Sequence, residues 1–247
     1  MKRLLLLAAL LFIAHQAQAA PPAALCAAAE KEVGADAWLA SEVAAVFGKV
    51  DFGGAASDCV YPLKVLRYAS ADVLLVQAGE PGEGCHGCAA LLSAYVIQRI
   101  GGGLKTVAKF HEFAQLGTNG AVMDVSPIEI AGDDAIVIES GGVFQGYAST
   151  RLDFFAFHAG ALVDFNPDPQ VVIDADNVGA MTDARKGVVV SGSWFFDPTD
   201  KTALVVDYKI EARGATRVER VVWRLQGDKL VLTRGRVPAE VAEASGG

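Results

Sequence analysis

The chain has 247 residues, 52% of them hydrophobic and 20% charged, with a net charge of −8 at pH 7. Such a chain has ample apolar material for a core. Its acidic balance repels phosphate backbones and anionic lipid, and no Lys/Arg cluster offsets it locally, which excludes an electrostatic nucleic-acid binder.

The order Met1-Lys2-Arg3, an apolar run from Leu4 to Ala14, and then Ala17-Gln18-Ala19 reads as a secretory signal peptide cleaved after Ala19. The apolar run is far shorter than the roughly 20 residues that a spanning helix needs. No later segment is longer or free of charge, so no membrane span is expected in the mature chain. Loss of Lys2 and Arg3 with the leader takes the net charge from −8 to −10. A periplasmic or extracellular location follows. Leu25, where a lipid-anchor site needs a small residue, makes Cys26 an ordinary thiol. Four cysteines outside the leader of an exported chain imply an oxidising compartment and up to two disulfides. Of three connectivities, local closure favours Cys26 with Cys59 and Cys85 with Cys88.

Past the leader (1–19), residues 20–60 form a helical preface and loop. Residues 61–237 form a β-rich domain, and 238–247 a frayed tail of Ala, Glu, Ser and Gly. Ala23 to Phe47 has helical spacing, broken at Gly34, with Asp36 placed to cap a second segment that docks through Trp38 and Phe47. From Tyr61 onward short apolar runs alternate with Gly, Asp and Asn, the pattern of strands.

Three blocks share one order. Each opens on a short strand (Asp72 to Val76, Asp134 to Ile138, Gly187 to Val190). Each then passes through a glycine-containing loop to a longer apolar strand (Leu91 to Ile100, Thr150 to His158, Ala203 to Ala212). Each ends at a turn, Gly101-Gly102-Gly103, Ala159-Gly160 or Arg213-Gly214-Ala215, followed by another strand. Their unequal spacing makes this a weak repeat of antiparallel units. The last hairpin, Glu219 to Leu225 and Lys229 to Thr233 about Gln226-Gly227-Asp228, is the cleanest, with Trp223 in the core. The expected fold is mainly β: an antiparallel meander of about three weakly repeated units, arranged as a sandwich or propeller-like blades, with a short N-terminal helical segment.

Reactive side chains concentrate in Gly79 to Ala89, where Cys85, His86 and Cys88 stand in a Gly/Pro-rich loop. Such a pair can be a redox centre, half of a metal site or a structural staple. Taken locally, Asp72 to Gly103 resembles the thioredoxin family, with an apolar strand, Cys85-His86-Gly87-Cys88, and a following apolar segment; Ser126-Pro127 stands in for that family's cis-proline. The resemblance implies a nucleophilic Cys85, a resolving Cys88 and a pKa-lowering His86 in a thiol–disulfide oxidoreductase. The block comparison instead makes the segment after Cys88 a strand and the pair a structural disulfide.

Other chemistry is incomplete. A zinc or copper site would recruit Cys85, His86, Cys88 and His111, but no second ligand pair completes it. His111-Glu112 opens like H-E-x-x-H, but Gln115 occupies the second His position. His158, beside Phe157, reads as a strand residue. Asp168, Asp174, Asp176, Asn177 and Asp183 read as solvated loop acids, because the calcium-loop register from Asp174 fails at Val178 and Arg185. No G-x-S-x-G is present. Gly141 to Tyr147, with Phe144 and Gln145, reads as a glycine-rich tight turn. No metal and no cofactor are expected. Elimination favours a soluble, exported, non-catalytic binding or structural module of unknown ligand and partner, with thiol–disulfide exchange as the alternative.

Overall fold

In the computed structural model, which describes residues 24–246, the preface is two helices, Ala29–Ala35 (α1) and Ala37–Phe47 (α2). The expected leader and its cleavage site lie outside these residues. The break between the helices falls at Asp36 and not at Gly34. Asp36 is extended, and its Oδ1 accepts the amides of Trp38 (2.9 Å) and Leu39 (3.1 Å), whereas Gly34 stays within α1. Capping satisfies two amides that otherwise lack partners, and this outweighs the modest helical cost of one glycine.

The helices lie on a four-stranded antiparallel sheet in sequence order: Val60–Arg67 (β1), Asp72–Ala78 (β2), Ala90–Ile100 (β3) and Gly103–Leu116 (β4). Val33, Leu39 and Val43 are buried against it. Phe47 meets Tyr95 edge-on at 5.5 Å, and the Arg67 guanidinium sits 4.0 Å over the Trp38 ring. The Cys26–Cys59 disulfide ties the start of α1 to the start of β1.

From Val73 to Val76 β2 is apolar because both faces are covered. Leu74 and Val76 face the helices, while Val73 and Leu75 face a second sheet. That sheet holds Asp124–Ile130 (β5), Asp133–Phe144 (β6), Tyr147–His158 (β7), Ala161–Asp164 (β8), Pro167–Asp168 (β9), Val172–Asp176 (β10), Val188–Asp197 (β11), Asp200–Ala212 (β12), Ala215–Gln226 (β13) and Lys229–Arg234 (β14). β6 repeats the logic of β2, with Ile136 and Ile138 in the core between the sheets and Ala135 and Val137 in a third core behind.

The three blocks are real. β2-β3-β4, β6-β7-β8 and β11-β12-β13 are each antiparallel three-stranded meanders. The path runs β5-β6-β7-β10-β11-β12-β13-β14-β9, and β8 pairs with β7. Only Phe165 and Asn166 separate β8 from β9, so the strands from β7 to β14 curl towards closure around the third core. There Trp223 is fully buried, its Nε1–H donating to the Pro169 carbonyl at 3.1 Å. The mainly β, sandwich-like expectation therefore holds, with the second sheet also wrapping on itself.

A further expectation is corrected at the C-terminus. The tail is not frayed: Ala239–Ser245 forms a helix (α3) whose Val241 and Ala244 enter the third core. The Asn177 amide donates to the Glu243 carbonyl at 3.3 Å and Arg217 pairs with Glu240 at 2.7 Å. Two apolar contacts three residues apart suffice for one buried face, which the Ala/Glu composition conceals. The Gly141 to Tyr147 stretch holds the expected tight turn, flanked by strand on both sides. It is the end of β6 and the start of β7, turning only at Gln145 and Gly146, both at positive φ (51° and 85°).

Candidate binding cleft

The face of β6 and β7 that meets the first sheet changes character along its length. By strand alternation Ile136 and Ile138 give way to Ser140 and Gly142, and Phe157 and Phe155 give way to Asp153, Arg151 and Ser149. The core between the sheets therefore stops at Ser140. Beyond it lies a cleft of about 750 Å³. One wall is the β6–β7 hairpin. The others are the turn after β4, the His86-Gly87 segment, Gln170 with Val172 at the start of β10, and the end of α3.

Glycine makes the approach of these elements possible. A Cβ on Gly142 would lie 2.5 Å from the Thr118 hydroxyl oxygen, and one on Gly141 would lie 2.0 Å from the Ser149 carbonyl oxygen. In their absence the Thr118 hydroxyl reaches the Gly141 carbonyl and donates to it at 2.8 Å. Gly141 and Gly142 thus serve close packing within and between sheets, while Gly146 serves the turn.

The Cys85–Cys88 disulfide forms in the long β2–β3 connection, with both cysteines exposed. The Cys88 amide donates to the Cys85 carbonyl (2.8 Å), and the loop is clamped to the turn after β4 by Gly120 N–H to Cys88 O (2.7 Å). The buried Gln77 amide braces both segments, donating to Gly79 O and Gly120 O at 3.1 and 2.8 Å. So held, His86 stacks on Phe144, ring centroids 5.9 Å apart. The segment after Cys88 is β3, and no helix begins there to lower a thiol pKa through its N-terminal dipole. The parallel strand and helix that the thioredoxin resemblance implies are therefore absent from this segment. Ser126-Pro127 lies in β5, and the cis peptide among the described residues is Asp168–Pro169.

The structure joins two stretches singled out in the sequence, the Cys85 loop and Gly141 to Tyr147, on one cleft. It adds a polar cluster that the sequence reading missed. Asp153 has a side chain only 4% exposed, and its Oδ2 accepts the Ser140 hydroxyl at 3.1 Å while its Oδ1 accepts the Gln170 amide at 3.0 Å. Arg151 Nε lies 3.0 Å from Ser140 Oγ and 3.3 Å from Asp153 Oδ2. Burial pushes the Asp153 carboxyl above the ordinary carboxylate range, opposed by the Arg151 guanidinium and the two hydrogen bonds. The available signal was Arg151-Leu152-Asp153 inside an otherwise apolar strand: two charges on one face of a buried strand require partners.

The remaining candidates disperse. His111 packs edge-on against Tyr95 at 5.6 Å, and His158 Nδ1 pairs with Asp133 at 2.7 Å at the far end of β7. Asp176 accepts the Val178 amide, and Asp183 accepts the Arg185 amide and pairs with its guanidinium. Asn177 is fully buried, its Oδ1 accepting the Val188 amide at 2.7 Å. Among the described residues no group of three or more His, Cys, Asp or Glu converges as a metal site, and no helix is long and apolar enough to cross a membrane. No protein-family model, curated protein or solved structure matches the chain.

Proposed function

We propose that the protein is an exported, non-catalytic binding module whose ligand site is the cleft between the β6–β7 hairpin and the Cys85–Cys88 loop. The observation that carries this reading is the cleft itself. Its volume of about 750 Å³ lies within the range of small-molecule sites, and it is assembled from five separate parts of the chain. In this reading the Cys85–Cys88 disulfide is structural: it fixes the wall that carries His86, and two disulfides suit an oxidising compartment.

Native mass spectrometry of protein recovered from the periplasm tests the proposal. A chain starting near Ala20 with a small-molecule adduct is expected, and Ser149→Trp, which fills the cleft, should carry none. A bare chain in the unaltered protein, or an adduct undiminished by Ser149→Trp, would sink the cleft assignment. The same protein should lack insulin-reductase turnover. Turnover abolished by Cys85→Ser would transfer the assignment to thiol–disulfide exchange.

A further inference from the structure

Resting on the cleft reading, we infer that the ligand is a small organic anion, a carboxylate carrying an apolar or aromatic group, with Arg151 as its anchor. The cationic arginine lining the cleft has a guanidinium already half committed. Its Nε is directed to Ser140 and Asp153, while Nη1 and Nη2 make no hydrogen bond to any described residue. That leaves the open end of the fork, which matches two carboxylate oxygens. Arg151 lines the cleft and Asp153 does not, so the fixing carboxylate stands behind the guanidinium rather than beside the ligand.

The rest of the lining agrees in charge and in shape. In a chain of net charge −8, the described lining contains Arg151 and His86 and no aspartate or glutamate. A cation or polyamine would find no carboxylate there. An anion meets no repulsion within contact distance. Phe144, 63% exposed and stacked on His86, and the Tyr147 ring offer apolar faces about the mouth, and such exposed aromatic surface is stabilised when a ligand covers it. The rigid end of the site is the guanidinium held by a buried carboxylate; the apolar end is broad. This arrangement selects for a carboxylate head and tolerates variation in the body attached to it.

The test compares anions with their neutral isosteres. Amide chemical shifts of labelled full-length protein are followed during titration with phenylacetate, indole-3-acetate and octanoate, and with the amide of each. At least one acid should shift the signals of Thr118, Gly141 and Gly142, and its amide should bind tenfold or more weakly. Arg151→Gln should bring the acid and its amide to equal affinity while leaving the shifts of α1 and β1 unchanged, which separates loss of the anchor from loss of the fold. Acid and amide binding equally in the unaltered protein would overturn the anion inference and leave the cleft reading standing. Absence of cleft shifts with all six compounds would overturn both.

Discussion

Replacing Glu42 by glutamine asks whether α2 buries an uncompensated charge. Glu42 is fully buried on the face of α2 that meets the first sheet, and neither carboxylate oxygen has a hydrogen-bond partner among the described residues. Burial, reinforced by Asp72, pushes its carboxyl above the ordinary value of 4.5, while Arg99 and Arg67 pull the other way without forming an ion pair. A raised pKa means that the folded chain holds the proton more tightly than the unfolded chain does. The associated stability is fully present below the unfolded value and is lost as pH rises through the folded one. Glutamine matches the protonated side chain in shape. Glu42→Gln should therefore equal the parent protein near about pH 4 and exceed it increasingly towards about pH 8, by about 1.4 kcal/mol for each unit by which burial raises the carboxyl. Urea unfolding followed by tryptophan fluorescence at a series of pH values measures the difference. Subtracting the two proteins cancels the other carboxyls held high by burial, among them Glu139, Asp153 and Asp174. A gain independent of pH, or a loss at the upper end, would refute the reasoning by showing that the carboxylate has a partner.

Removing the Cys26–Cys59 disulfide by the double serine change releases a closure across 33 residues, and chain entropy sets the loss at about 3–4 kcal/mol. Calorimetry showing less than about 1 kcal/mol would mean that the preface docks without its staple. Deleting residues 239–247 removes Val241 and Ala244 from the third core and should cost about 2–4 kcal/mol by urea unfolding. An unchanged midpoint would restore the frayed tail that composition suggests. Tyr208 is buried in the same core with its hydroxyl unpartnered among the described residues, so Tyr208→Phe should stabilise by about 1 kcal/mol, and a destabilised variant would reveal a hydrogen bond to that oxygen.

Much of the architecture was legible because it is encoded locally. Three blocks of strand, loop, strand, turn and strand, set out by apolar runs and turn glycines, became the meanders β2-β3-β4, β6-β7-β8 and β11-β12-β13. The strand after Cys88, the turn expected at Gln226-Gly227-Asp228 and found at its last two residues, and the pairing favoured for Cys26 and Cys59 rest on spacing over a few to a few dozen residues. Composition misled where few residues make the contact, as with Val241 and Ala244 in an Ala/Glu tail. The cleft had no local signature. Arg151, Ser140, Asp153 and Gln170 converge only because β6 and β7 pair in one register and the chain then returns beside them, and Thr118 and His86 arrive from the other sheet. Sequence alone determined where most strands lie and which cysteine pairing local closure favours, since period-two alternation and chain length act between near neighbours. Only the tertiary structure decided where the core between the sheets ends and a cleft begins, because that boundary depends on register and layer packing between segments far apart in the chain.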